Sequence, residues 1–214
     1  MKVKNYKIYW ICAIILMSFP YQTFAQTDTL FYNSGKLKAI GNLQNSLKQG
    51  EWKFYYPTGK LNAIEHYNNG KLDGEIKTFY PNGQILSNEK WVKGELEEES
   101  IYYYKNGQVE KKGEYLNSSY HGQWGFFYEN GKLRQIGNYD KGIPDGDWQF
   151  FNKSGQIVQR GDYMEGKENG LWQYFDKKGR KTYEGQYKNG KKIGDWYYFN
   201  RFGKKEKVDK SELD

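Results

Sequence analysis

Residues 146–169 read GDWQFFNKSGQIVQRGDYMEGKEN, and the outline of this segment returns along the chain every 24 residues. Its first ten residues reappear as GEWKFYYPTG at 50–59, GQWGFFYENG at 122–131, GLWQYFDKKG at 170–179 and GDWYYFNRFG at 194–203. Self-similarity at a fixed period of this length is typical of repeat proteins, whose units stack on their neighbours in a linear array. The sequence therefore predicts one continuous array, not two globular domains.

Glycine marks four positions of the period, and only Gly125 of the 25 glycines lies outside them. One position is glycine in all eight of its occurrences, namely Gly35, Gly59, Gly83, Gly107, Gly131, Gly155, Gly179 and Gly203. Each glycine in a helix interior costs about 1 kcal/mol relative to alanine, so this density excludes helices. Aromatic residues supply 19% of the chain, which favours strands.

Each repeat contains two short strand-like segments, such as 148–151 and 157–163. Asn130-Gly131 between two such segments predicts a two-residue type I′ hairpin turn, and the second connection, 140–146, suits a wider turn. The predicted fold is all-β: an elongated antiparallel meander of 24-residue β-hairpin repeats, forming a single twisted or curved sheet.

The Asn130-Gly131 turn also predicts the register of the strands. Trp124 should lie opposite Gly137 and Trp148 opposite Gly161, so that each glycine leaves room for an indole ring. The structural positions of the repeat are then Trp52, Trp124, Trp148, Trp172 and Trp196, with Gly113, Gly137, Gly161 and Gly185. Alternation predicts an aromatic ladder on one face, made of Trp124, Phe126 and Tyr128 with Leu133, Gly137 and Tyr139, whereas Phe127 and Ile136 point the other way.

The first 25 residues resemble a secretory signal peptide. Three lysines precede an apolar run over 8–19, and Thr23-Phe24-Ala25 places small residues before Gln26. We therefore expect an exported protein, periplasmic or extracellular, with the repeat array of about seven to eight units at 26–203 and a polar C-terminal cap at 204–214. Cys12, the only cysteine, lies in the apolar run, so the mature chain would have neither a disulfide nor a cysteine metal site.

Charge and composition argue against several classes of function. Loss of three lysines with the signal lowers the formal net charge from +7 to +4, and the remaining basic residues are interspersed with acids, so no nucleic-acid partner is expected. The two histidines, His66 on a predicted strand and His121 in a predicted connection, lack the spacing of a metal or nucleophile motif. The chain is expected not to be an enzyme and to need neither a cofactor nor a small-molecule substrate.

The outline Gly137-x-Tyr139, Gly142, Gly146-x-Trp148 and Gly155 resembles MORN repeats, and more closely the bacterial MORN-variant repeats, whose members are often described as antitoxins of toxin–antitoxin pairs. The resemblance covers nearly all of the chain after residue 25. It implies an antiparallel β-hairpin array with an interaction or scaffold role and no catalytic residues.

The least regular repeat is the candidate partner-binding site. It carries four glutamates and a run of three tyrosines, namely Glu95, Glu97, Glu98, Glu99, Tyr102, Tyr103 and Tyr104. Carboxylates beside exposed tyrosines suit a basic protein partner. The predicted function is non-catalytic binding, mainly to a protein at the cell envelope, with contact to the envelope surface. The alternatives are an antitoxin or immunity protein, and carbohydrate or lipid-headgroup binding through the aromatic face.

Overall fold

The computed structural model describes residues 26–209 and residue 211. These residues form one open antiparallel sheet of 17 strands. The strands are β1 (Gln26–Phe31), β2 (Leu37–Gln44), β3 (Leu47–Tyr55), β4 (Leu61–Asn68), β5 (Lys71–Leu72), β6 (Gly74–Phe79), β7 (Ile85–Val92), β8 (Glu95–Tyr103), β9 (Val109–Leu116), β10 (Ser119–Phe127), β11 (Leu133–Asp140), β12 (Ile143–Phe151), β13 (Ile157–Met164), β14 (Lys167–Phe175), β15 (Lys181–Lys188), β16 (Lys191–Phe199) and β17 (Lys205–Lys207).

The strands pair in chain order, which confirms the predicted meander. Only β4 departs from simple succession, because it pairs with both β5 and β6, the two pieces of an interrupted strand. The predicted signal peptide lies outside the described residues. Within the predicted cap, β17 pairs with β16, and Val208 is 9% exposed and donates its backbone N–H to the Trp196 carbonyl. The segment that contains Val208 therefore continues the packed sheet.

The two kinds of turn are exchanged relative to the prediction. In the Tyr128–Lys132 hairpin only Gly131 has a positive φ, of 80°, and its N–H donates to the Tyr128 carbonyl, as in a three-residue loop. The type I′ turn lies at the other connection, where Lys141 and Gly142 have φ of 49° and 81° between the paired residues Asp140 and Ile143. The prediction of a type I′ turn at Asn130-Gly131 was wrong.

The asparagine has a different role from the one that the turn prediction gave it. Asn130 Oδ1 accepts a hydrogen bond from the Lys132 N–H at 3.1 Å, and its Nδ2 donates to the Lys153 carbonyl of the next repeat at 2.9 Å. Asn106 makes the equivalent two bonds one repeat earlier. The asparagine at this position acts through these side-chain hydrogen bonds and does not adopt a positive φ.

In seven of the eight hairpins that a three-residue loop closes in the described part of the chain, a β-bulge near the loop changes the face of one residue. The register shifts between Phe126 and Phe127, so that Leu133 pairs with Phe127. A β-carbon at Gly125 would have both side chains as neighbours, with Leu133 Cδ1 at 3.8 Å. Leu133 therefore lies on the face of Phe127, and the prediction that placed it with Trp124 was wrong.

The predicted pairing of tryptophan with glycine is confirmed. The indole ring, however, covers the glycine on the preceding strand and not the predicted glycine on the following strand. Trp148 pairs with Gly161 on β13 and also with Gly137 on β11. A β-carbon at Gly137 would lie 2.1 Å from Trp148 Cδ2, whereas one at Gly161 would lie 2.3 Å from Trp172 Cδ2. Each indole therefore lies across the glycine eleven residues before it, in the pairs Gly41–Trp52, Gly113–Trp124, Gly137–Trp148, Gly161–Trp172 and Gly185–Trp196.

A hydrogen bond to a backbone carbonyl accompanies this direction in four of the five repeats. Trp148 Nε1 donates to the Asn138 carbonyl at 3.1 Å, and Asn138 lies at the register shift of the β11–β12 pair, where it has no paired residue. Trp52, Trp124 and Trp172 donate in the same way to the residue ten positions earlier. Four of the five indole N–H groups thus find an acceptor on the preceding strand, whereas the buried Trp196 Nε1 has no hydrogen-bond partner among the described residues although its ring lies over Gly185 in the same way.

Two repeats change the tryptophan and its glycine together. Ile76 and Ser100 occupy tryptophan positions and are 3% and 0% exposed. The residues eleven positions earlier are Glu65 and Glu89 where other repeats have glycine. A smaller side chain at one position thus accompanies a larger one at the other, as close packing of a shared volume requires.

Candidate binding surface

The sheet has two faces of different character. We call the face that carries the indole rings the tryptophan face and the opposite one the open face. The five indoles of the repeat are only 0–3% exposed, and their neighbours are further rings, as in the contact of Tyr139 with Trp148 at a centroid distance of 5.1 Å. Packing accounts for these tryptophans, and their ring faces are not presented for stacking on a sugar.

The open face carries a row of partly exposed apolar pairs beside the three-residue loops. Each pair joins an aromatic residue to an aliphatic one on the next strand, and none of the twelve side chains is fully buried. Phe31 and Ile85 are 60% and 39% exposed, and the other ten side chains are partly buried. The pairs are Phe31–Leu37, Tyr55–Leu61, Phe79–Ile85, Tyr103–Val109, Phe127–Leu133 and Phe151–Ile157. We call this set the apolar row. In the next two repeats the aliphatic partner becomes Lys181 and Lys205.

The predicted glutamates lie on or beside the open face of β8. Glu97 Oε1 accepts a hydrogen bond from the Asn117 N–H at 2.9 Å, which ties it to the neighbouring turn. Glu98 has a φ of 57° at a bulge where six other repeats have glycine. Glu95, Glu97 and Glu98 share a shallow hollow with Lys71 and Lys93, so lysines partly balance the acidic charge.

The three tyrosines are not the exposed group that was predicted. All are half-buried, and strand alternation separates their faces. Tyr102 lies on the tryptophan face, where its hydroxyl is 3.2 Å from that of Tyr115 and burial raises its pKa. Tyr103 belongs to the apolar row, and the Tyr104 hydroxyl donates to the Phe127 carbonyl at 2.7 Å. The prediction of three exposed tyrosines beside the glutamates was therefore wrong, because packing and hydrogen bonding occupy Tyr102 and Tyr104 and only Tyr103 lies in the apolar row.

The histidines are far apart in the sheet. His66 lies on β4, as predicted, and its Nδ1 is 2.7 Å from the Glu75 carbonyl. His121 lies on β10 and not in a connection. Across residues 26–209 and 211, no group of three or more His, Cys, Asp and Glu side chains is arranged to hold a metal ion. The same part of the chain contains no helix that could cross a membrane.

A hollow at Gly125 is a feature that the sequence reasoning missed. Gly125 is the glycine outside the four repeated positions, and other repeats have Thr, Lys, Ile, Gln or Tyr there. The hollow has a volume of about 270 Å³ on the open face. Phe127, Leu133 and Ile136 line one part, and Glu99 and Glu114 line another. The exceptional position of Gly125 was the available sequence signal.

The model of the MORN repeat variant matches residues 48–69, 72–92, 96–117, 120–141 and 144–164, just over half of the chain. The chain belongs to the MORN repeat variant family. Each matched segment falls within one hairpin closed by a three-residue loop, from β3–β4 through to β12–β13. The MORN hairpin continues with the same register in β14 and β15, beyond the last match.

Solved structures show only distant similarity to this MORN protein. A mutant of S. aureus TarM in complex with fondaparinux, α-GlcNAc-glycerol and UDP is 18% identical, with 50% of this chain and 21% of that chain covered and a TM-score of 0.32. The GtfA/B complex bound to UDP and GlcNAc is 12% identical, with coverages of 54% and 22% and a TM-score of 0.24. A porin-like protein from Bacteroides uniformis is 11% identical, with coverages of 86% and 87% and a TM-score of 0.22.

The chain thus spans about a fifth of the length of the first two of these structures. No curated protein matches the chain. The family match supports a MORN repeat scaffold, and similarity to the solved structures at this level does not extend to function.

Proposed function

We propose that this MORN repeat variant is an exported, non-catalytic scaffold that binds a protein partner at the cell envelope through its open face. One observation carries the proposal: the apolar row runs across six successive hairpins of that face without being fully buried. Exposed apolar surface of this extent is typical of interaction sites. The tryptophan face, by contrast, uses its largest rings for its own packing.

Export is supported by the amino-acid pattern of residues 1–25, with basic residues, an apolar run and small residues before Gln26. A repeat array also suits binding better than catalysis, since each unit contacts only its neighbours and presents a long surface without a deep cleft. Specificity then depends on side chains that differ between repeats, such as the four glutamates at 95 and 97–99.

Capture from envelope extract with surface variants tests the proposal. Phe79→Ser and Phe151→Ser each remove one half-exposed ring from the apolar row. Phe202→Ser is the matched control, because Phe202 is 80% exposed in a loop outside that row. We expect the two row variants to lose the captured protein while Phe202→Ser retains it, all three with cooperative thermal unfolding. Capture that survives both row substitutions would contradict binding through the open face.

The glutamates are tested separately. Replacing Glu95, Glu97, Glu98 and Glu99 together by glutamine should weaken capture, because carboxylates steer a basic partner. The melting temperature should change little, since among the four only Glu97 makes a side-chain hydrogen bond outside its own strand, to the Asn117 N–H in the neighbouring turn. Unchanged capture would remove this acidic set from the interface. Detection of the uncleaved chain in the cytoplasm would instead favour the antitoxin alternative.

A further inference from the structure

The hollow at Gly125 exists because one repeat lacks a side chain that the others have. On β10, Gly125 pairs with Lys112 of β9 and with Ile136 of β11. The equivalent residue is Lys53 on β3, whose ammonium reaches Glu51, and Gln149 on β12, whose amide donates to Asp147. Without a side chain at Gly125, the surface between Lys112 and Ile136 is left as a depression whose apolar wall continues the apolar row.

Glu99, on the acidic side of the hollow, lacks the lysine partner that the equivalent glutamates have. On β3 and β6, Glu51 and Glu75 each have a lysine two residues further along the strand, and the N–O distances are 3.1 Å and 3.2 Å. Glu99 is the equivalent residue on β8, but the residue two positions later is Ile101. The lysine that neutralises this carboxylate in the two preceding repeats is therefore missing.

A second carboxylate faces the first. Glu99 pairs directly with Glu114 across β8 and β9, an arrangement in which like charges destabilise a sheet. Within residues 26–209 and 211, neither carboxylate lies within 4.0 Å of a cationic nitrogen. Two unneutralised carboxylates beside an apolar wall are complementary to a side chain with a cationic head and an apolar stem.

We propose that the Gly125 hollow receives an arginine side chain of the partner protein. This inference rests on the proposed function. The planar guanidinium can donate to Glu99 and Glu114 together, whereas an ammonium offers a point charge without that fork. The stem lies against Leu133, Ile136 and the ring of Phe127, which form the apolar part of the hollow. Because Phe127 and Leu133 also belong to the apolar row, the arginine enters at a surface where the partner already binds.

Replacement of Lys112 should raise the affinity for arginine, whereas replacement of the glutamates should lower it. Lys112 lines the same hollow and is exposed, and its ammonium repels an incoming cation. Lys112→Gln should therefore tighten arginine binding several-fold, whereas the double substitution Glu99→Gln and Glu114→Gln should abolish it. Gly125→Gln, which copies the residue of the β12 repeat, should also abolish binding by filling the hollow.

The direct measurement titrates the chain with N-acetyl-arginine-methylamide and follows backbone amide shifts at Gly125 and Ile136. A single side chain should bind with a Kd on the order of 1 to 10 mM. The matching lysine compound should bind more weakly, and the citrulline compound, an uncharged analogue of arginine, should cause no saturable shift. Glu51→Gln is the control, since that carboxylate lies on the same face outside the hollow.

Equal binding of citrulline and arginine, or binding that persists after loss of both glutamates, would overturn the proposal. The double glutamine variant should melt no lower than the parent, because it removes a like-charge pair. If N-acetyl-arginine-methylamide fails to bind while Phe151→Ser still abolishes capture, the assignment of the hollow to arginine is wrong and the proposed function stands. If Phe151→Ser and Phe79→Ser retain capture, the proposed function fails whatever the titration shows.

Discussion

A methyl group at Gly161 tests which indole this glycine accommodates. Gly161 is buried and its φ is not positive, so alanine causes no backbone strain. Its β-carbon would lie 2.3 Å from Cδ2 and 2.4 Å from Cε2 of Trp172, whereas ordinary contacts begin at 3.4 Å. The ring, or the strand that carries it, must therefore move by about 1 Å.

The structure sets the size of the effect. Overpacking of a close-packed site costs about 1 to 3 kcal/mol. Complete expulsion of the Trp172 ring, which is 0% exposed, would expose on the order of 200 Å² and cost about 5 kcal/mol. Its hydrogen bond to the Asp162 carbonyl contributes about 1 kcal/mol more when lost. We expect Gly161→Ala to lower the free energy of unfolding by about 3 kcal/mol.

Urea unfolding in a double-mutant cycle identifies the partner ring. Trp172→Ile copies the repeat in which Ile76 accompanies a residue other than glycine eleven positions earlier. Combined with Gly161→Ala, it should recover about 1 to 2 kcal/mol relative to the sum of the single effects. The combination with Trp148→Ile should show the smaller coupling, because a β-carbon at Gly161 meets the ring of Trp172 and not that of Trp148. Coupling to Trp148 in place of Trp172 would refute the packing described above.

Gly125→Ala is the control for a buried glycine without an indole. Its β-carbon would lie 3.2 Å from Cε2 of Phe127, a half-exposed ring that can give way by a few tenths of an ångström. We expect a cost below about 1 kcal/mol. A cost equal to that of Gly161→Ala would show that the loss at Gly161 does not come from the indole.

Three further outcomes are expected. A hydrogen bond from Lys181 is the main reason why the pKa of Glu184 is lowered to about 2, so Glu184→Gln should cost about 1 kcal/mol at pH 7 after allowance for solvent screening. That difference is fully present above the unfolded pKa of about 4.3 and should disappear in melts as the pH falls towards 2. Tyr128→Phe removes a hydroxyl that donates to the Phe151 carbonyl at 2.8 Å. It should lower the free energy of unfolding in urea by about 1 kcal/mol. No change would show that this hydrogen bond makes no net contribution to stability. Intact-mass measurement of periplasmic or extracellular material should give an N-terminus at Gln26, and recovery of only uncleaved chain would contradict export.

Much of the fold could be predicted from the sequence because the contacts of a meander are short in range. Each strand pairs with its neighbours in the chain, and loops of constant length repeat the same register every 24 residues. The pairing of Trp148 with Gly161 was predicted from a two-residue turn that does not form, and it is correct because the bulge at Phe150 and Phe151 compensates for the three-residue loop. The polar and apolar alternation along the strands was equally local, except where a bulge moved Leu133 to the other face.

The candidate site was less predictable, since exposure depends on what neighbouring repeats contribute. Tyr102 and Tyr104 carry no local sign that their hydroxyls reach Tyr115 and the Phe127 carbonyl. Gly125 was visible as an irregularity, but its hollow also needed Ile136 beside it.

The sequence by itself determined the 24-residue period, the all-β hairpins and the strand register, because glycine spacing and strand alternation act over a few residues. Only the tertiary structure decided which of the two flanking glycines each indole covers. Both Gly137 and Gly161 pair with Trp148, and the ring lies over Gly137, on the strand whose Asn138 carbonyl accepts its indole N–H. Which neighbouring strand a ring covers depends on the packing of three adjacent strands, so it is a property of the assembled sheet and not of any one strand alone.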